Sequence, residues 1–209
     1  MAFSVTKVVT SGTFSLDGQD FDVDNNVWVV GDDDGLLVID AAHDAQAIAD
    51  VVDHRRVHAI VCTHGHNDHV NAAVELSTLV TAPVYLSSDD RMLWDDVHPD
   101  AGPYDDLRDG DAFRVGGAEL QVLQTPGHSP GGVCLYAATE GLLFSGDTLF
   151  QGGPGATGRS YSDFGVILDS IRERLLTLPA DTVVHPGHGD DTTLGAETAD
   201  YDAWVARGH

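Results

Sequence analysis

Two periods of hydrophobic and polar residues alternate along this chain. Residues 26–30 (NVWVV) and 36–40 (LLVID) are apolar, β-branched runs separated by the turn-forming GDDDG of residues 31–35, which predicts two strands of a hairpin. Asp44 then stands as a cap before a helix over residues 45–52, where Ile48, Val51 and Val52 recur at helical spacing. Residues 59–63 read as a buried strand, 70–79 as an apolar helix and 83–86 as a further strand. The middle is richer in strands, at 112–115, 120–125, 133–137 and 142–145. A glycine-rich loop over 150–159 leads to Ser162 or Asp163 as the cap of a helix whose Phe164, Ile167, Leu168, Ile171, Leu175 and Leu178 form a core stripe. A strand at 182–185 and a short helix ending near Val205 complete two similar strand-and-helix halves, so the expected class is α/β. No low-complexity linker divides the sequence, which predicts a single domain over residues 1–209.

Charge narrows the function classes. The chain carries 34 acidic and 10 basic residues, a formal net charge of −24. Such a surface repels phosphate backbones and anionic lipid, and with Lys7 as the sole lysine no lysine cluster offsets it; neither nucleic acid nor membrane is an expected partner. No leader-like apolar region and no run long enough to span a bilayer is present, so a cytoplasmic location is expected. Cys62 and Cys134 each lie in an apolar segment and read as buried thiols in a reducing compartment.

The chemistry concentrates in residues 63–69, THGHNDH, which place three imidazoles and a carboxylate just after an apolar strand. Imidazole nitrogen combined with carboxylate oxygen suits borderline ions such as Zn²⁺. His64 and His66 can face one ion while Asp68 and His69 face another. Three later positions repeat the arrangement, each beside glycine in a loop after an apolar strand: His128 in PGHSPG, Asp147 in SGDT and His188 in PGHG. Glycine leaves room there for a ligand or metal to approach. No Gly-x-Ser-x-Gly elbow and no dinucleotide-binding fingerprint competes with this cluster.

These positions resemble the signature of the metallo-β-lactamase superfamily, His-x-His-x-Asp-His followed by separate His, Asp and His ligands. The resemblance extends over nearly the whole chain and implies a four-layer αββα sandwich with metals at one edge. By that resemblance His64, His66 and His128 hold a first ion, Asp68, His69 and His188 hold a second, and Asp147 bridges them. Zinc is the expected metal, with iron or manganese as alternatives. Two divalent ions, two carboxylates and one hydroxide leave a local charge of about +1, and bound metal lowers the pKa of water so that hydroxide becomes a nucleophile near neutral pH. Asp68 and Asp147 are the expected catalytic carboxylates.

Within the superfamily the pattern is most similar to the glyoxalase II (hydroxyacylglutathione hydrolase) branch, whose members cleave thioesters such as S-lactoylglutathione. The stretch GDTLF at 146–150, the glycine-rich loop with Arg159, and GHGDDTTLG at 187–195 carry that likeness. The larger glyoxalase II enzymes add a C-terminal helical domain with basic residues for glutathione. Only 21 residues follow His188 here, so a short type acting on another small thioester or ester is expected. Arg159 is the candidate for binding a substrate carboxylate. Two alternatives remain: a persulfide dioxygenase with one iron on His64, His128 and Asp147, and a noncatalytic metal-binding module.

Overall fold

The computed structural model describes residues 3–101 and 104–208. The first half builds one sheet. Strands β1 (Ser4–Leu16), β2 (Gln19–Gly31), β3 (Leu36–Ile39), β4 (Val57–Val61), β5 (Val84–Leu86) and β6 (Asp105–Asp106) lie side by side in chain order. The first three are antiparallel, whereas β3 to β6 run parallel and are crossed over by α1 (Ala45–Val52), α2 (Asn67–Val70), α3 (Ala73–Val80) and α4 (Arg91–Val97). The second half builds another six-stranded sheet among the described residues. It contains β7 (Ala112–Val115), β8 (Ala118–Gln124), β9 (Val133–Ala137), β10 (Leu142–Gly146) and, beyond a two-stranded excursion β11 (Leu149–Phe150) and β12 (Gly153–Pro154), β13 (Val183–Pro186) and β14 (Thr192–Thr193). Its helices are α5 (Phe164–Ser170), α6 (Leu194–Thr198) and α7 (Tyr201–Arg207).

Alternation along the strands sorts the side chains into three apolar layers. On the first sheet Val27, Val29 and Val38 face α1 and α3, meeting Ile48, Val52 and Leu76. Their neighbours Trp28, Val30, Leu37 and Ile39 point the other way, onto Leu120, Val122, Leu135 and Phe144 of the second sheet. The far side of that sheet presents Cys134, Leu143 and Val184 to Ile167, Ile171, Leu194 and Trp204. Helix, sheet, sheet, helix is therefore the layer order, the αββα sandwich that the resemblance implies. Both cysteines are buried. Among the described residues no helix is long and apolar enough to cross a membrane.

Phe144 lies fully buried between the sheets, its ring 5.9 Å from that of Trp28 and 5.1 Å from that of His185. Phe144→Ala is expected to cost about 3–5 kcal/mol, because the sandwich cannot collapse into the void. Urea unfolding checks this, and a loss below about 1 kcal/mol would contradict such tight inter-sheet packing.

Three elements depart from expectation. Residues 26–30 and 36–39 do pair as a hairpin, but an unforeseen thirteen-residue β1 precedes them, paired along its whole length with a longer β2, from Ser4↔Gly31 to Leu16↔Gln19. Asp17 and Gly18, at φ 54° and 71°, close this hairpin with the left-handed pair that a tight two-residue turn demands. The helix expected over 70–79 is two helices, since the Ala72 N–H turns to Ala41 O at 3.1 Å and interrupts the ladder. The α5 stripe does continue past Ser170, but as a π turn over Ile171–Leu175, with Leu176 N–H reaching Ile171 O five residues back at 2.9 Å.

Candidate metal centre

Strands β8, β10 and β13 point the same way through their pairings with β9 and with each other, and the loops leaving them converge with the loop after β4. From β4 the chain passes through Thr63 and His64 to His66, which starts α2 in an extended conformation, so one helical turn brings Asp68 and His69 back to the cluster. His128 follows Gly127, whose φ of 132° and 2.3 Å clearance from Ile167 N to a notional Cβ admit only glycine. Asp147 follows β10. His188 follows Gly187, where a Cβ would fall 2.4 Å from Asp147 Oδ1.

All seven sequence candidates meet. His66 Nδ1 is 3.0 Å from His128 Nε2, and the His64 ring is 4.8 Å from His66 and 4.9 Å from His128 between centroids. His69 Nε2 and His188 Nε2 are 3.2 Å apart, with Asp68 Oδ2 at 3.6 and 3.3 Å from them. Asp147 lies between the two sets: Oδ1 is 3.4 Å from His69 Nε2, and Oδ2 is 3.4 Å from His188 Nε2 and 3.6 Å from His128 Nε2. Three donor groups result: His64, His66 and His128; His64, His69 and Asp147; Asp68, His69 and His188. In each the ligating atoms all lie within 4.8 Å of one another.

Whether these donors suit cations is answered by their unspent atoms. Among the described residues, His64 Nε2, Asp68 Oδ1 and Asp147 Oδ1 are buried with no hydrogen-bond partner, and His66 turns its other ring nitrogen, Nδ1, to the cluster. Three unpaired polar atoms in one place are a heavy desolvation cost unless a cation engages them. The rings are aimed from outside. His128 Nδ1 donates to Ala156 O at 2.8 Å, His188 Nδ1 to Asp24 O at 2.7 Å, and His69 Nδ1 to Asp40 Oδ2 at 3.0 Å. Thr63 Oγ1 donates to Asp40 Oδ2 and so accepts from His64 Nδ1 at 3.1 Å. In all four, the lone pair of Nε2 is left for the interior of the cluster.

Electrostatics agree. Burial, reinforced by His69 and His66, holds His64 well below the usual imidazole range, and burial with His128 pushes His66 down to about 3. Burial pulls His69 and His188 the same way, but Asp147 and Asp68 prevail, joined at His69 by Asp40. His69 is raised well above its ordinary value and His188 up to about 10. Burial would raise the Asp68 carboxyl, yet His69 and His188 bring it down to about 2. Without ions, protons on His69 and His188 therefore balance the carboxylates. For His188 that coupling favours the metal-free fold fully below the unfolded value of 6.5 and is lost as pH rises through about 10. Metal must displace those protons. Zinc added at pH 7.5 to metal-free protein in weak buffer is expected to release about two protons per chain, and affinity should climb with pH. Uptake with no acidification would contradict these charges.

Several residues of the site escaped the sequence reading. Asp40 receives Thr63 N–H at 2.7 Å as well as Thr63 Oγ1 and His69. Buried Asp90 accepts from Gly65 N–H, Gly131 N–H and Ser129 Oγ at 2.6–2.8 Å, tying the first histidine loop to the His128 loop. Asn25 touches the cluster directly. A polar residue abutting an apolar strand run was the available signal for Asn25 and Asp40; Asp90 offered none. Arg159 does not reach the cluster by any described contact. Its guanidinium lies 4.8 Å over the Phe21 ring and 5.8 Å over Phe14, and donates to Gln19 Oε1 at 3.2 Å. Phe14 in turn stands edge-on to His66 at 5.3 Å.

The fold and this cluster define a class. The family model for the metallo-beta-lactamase superfamily matches residues 21–188, and the chain belongs to that superfamily. The probable metallo-hydrolase YqgX of Bacillus subtilis (strain 168) is 35% identical over 186 residues, 82% of this chain and 88% of that protein. The hydroxyacylglutathione hydrolase GloC of Haemophilus influenzae is 29% identical over 186 residues, 82% of this chain and 87% of GloC. Among solved structures, the B3 metallo-beta-lactamase BLEG-1 superposes with a TM-score of 0.78 at 30% identity, over 94% of this chain and 100% of that one. TTHA1623 in a di-iron-bound form gives 0.75 at 34% identity, over 84% and 93%.

Proposed function

We propose that the chain is a single-domain, dinuclear metal-dependent hydrolase of small thioesters. His64, His66 and His128 would hold one divalent ion and Asp68, His69 and His188 a second, with Asp147 shared between them. Zinc suits this mixture of imidazole and carboxylate, and iron or manganese is accepted by the same donors. Such ions, when bound, polarise a carbonyl and lower the pKa of water.

The observation that carries the choice of a thioester is how the imidazole nitrogens are spent. His64, His69, His128 and His188 each commit Nδ1 to an outward acceptor and turn Nε2 inward. Asp68 and Asp147 are both held as carboxylates. With ions bound in place of the His69 and His188 protons, none of these six side chains carries a proton aimed at the site, which favours a leaving group that departs without one. A thiolate, with a pKa near 8.5, departs without one, whereas an amide nitrogen needs protonation. The relative named for hydroxyacylglutathione hydrolysis supports the same substrate class.

Metal analysis combined with turnover tests the reading. Protein expressed in metal-replete medium should carry about two transition-metal ions and hydrolyse S-lactoylglutathione or another small thioester. One iron per chain with oxygen consumption would install the dioxygenase instead, and tight metal binding without turnover the noncatalytic module.

A further inference from the structure

Asn25 lies in β2, two residues before its apolar run, and is fully buried. Its amide nitrogen donates to Asp68 Oδ2 at 3.0 Å and lies 3.3 Å from His69 Nε2 and 3.4 Å from His188 Nε2. With the separations of 3.2, 3.3 and 3.6 Å among those three atoms, the four form a nearly regular tetrahedron. Three corners are the donors of the second ion in the reading above. The fourth is an N–H group, the positive end of a dipole, which repels a cation from that face of the triangle and holds the Asp68 carboxylate against rotation.

What keeps the amide this way round lies further out. Asn71 Oδ1 accepts the main-chain N–H of His43 at 2.6 Å, so its amide nitrogen is the end that meets His43 Nδ1, at 3.0 Å. His43 Nδ1 must then be an acceptor, and its proton sits on Nε2, which donates to Asn25 Oδ1 at 2.9 Å. Asn25 is left with only its N–H group to present to the cluster. The ring of His43 occupies this position because β1 carries Gly12 beside it: a Cβ there would fall 2.2 Å from His43 Nδ1.

We propose that Asn25 is a positioning residue for the second metal ion, oriented by a relay from Asn71 through His43, and that it sets the affinity of that ion without ligating it. This rests on the dinuclear reading. The test is two-step chelator competition on protein loaded with cobalt or zinc, with the cobalt visible spectrum followed alongside. Asn25→Leu should weaken the second ion about 10- to 100-fold and leave the first within about threefold. His43 touches neither donor group, so His43→Leu should weaken the same ion selectively, while His43→Gln, whose terminal N–H can still donate to Asn25 Oδ1, should restore it. The His43 pair keeps the test open if Asn25→Leu does not fold. Unchanged affinities in His43→Leu, or equal losses of both ions that track the melting temperature, would overturn the relay. Wild-type protein that takes up a single ion would overturn the dinuclear reading beneath it.

Discussion

Asp147→Asn is expected to lower kcat for a small thioester by on the order of 100- to 10,000-fold, the range for losing a group that acts at the reacting centre. Among the described residues Asp147 is the one side chain in contact with His69, His188 and His128 together, so it faces both halves of the cluster. Its neutral isostere keeps the shape while removing the charge that two ions would share. Retained metal should fall from two ions toward one. Stability should suffer much less, because the metal-free protein can answer the lost carboxylate by releasing a proton from His69 or His188, and the three apolar layers stay intact. Kinetics, elemental analysis and thermal melts on the same preparation check this. Wild-type kcat with two ions bound would remove Asp147 from the mechanism.

The legible parts of this protein were those where one local signal is enough. Helix α1 begins where Asp44 predicts it, with the Asp44 carboxylate accepting Ala47 N–H at 2.9 Å, and Asp163 caps α5 in the same manner. The seven cluster residues were legible because each is a metal-type donor in a loop or single helical turn that follows a strand, and glycines flank several of them where chain crosses chain. The β1–β2 hairpin was not. Residues 4–16 alternate weakly and lie mostly outside the apolar layers, so no hydrophobic pattern marks them, although Asp17-Gly18 carried the turn. The support shell was hidden for a different reason. Asp90 meets Gly65 and Gly131, which lie 25 and 41 residues away, and nothing local in the sequence encodes such a meeting.

Substrate choice is the second large effect. A small acyl thioester should be cleaved at least about tenfold faster, as kcat/KM, than a cephalosporin, since the β-lactam nitrogen must receive a proton relayed from the attacking water as it leaves, whereas a thiolate departs without one. The likeness in fold to BLEG-1 makes this comparison a sharp one. Arg159 is the proposed contact for a substrate carboxylate. Stacked on Phe21 and Phe14 and bonded to Gln19, it anchors the hairpin tip whose Phe14 abuts His66. Ser160 reinforces the anchor, its N–H and hydroxyl both bonding Asp17. A guanidinium so fixed still has N–H groups in its plane with which to receive a substrate carboxylate. Arg159→Ala should therefore raise KM for carboxylate-bearing thioesters about tenfold, and for neutral ones less. Arg159→Lys should recover part of the charge effect but not the planar stacking. Equal increases in KM for both substrate types would reduce Arg159 to an anchor of the hairpin. Efficient cephalosporin hydrolysis with no thioesterase activity would move the protein to another branch and leave the dinuclear proposal standing.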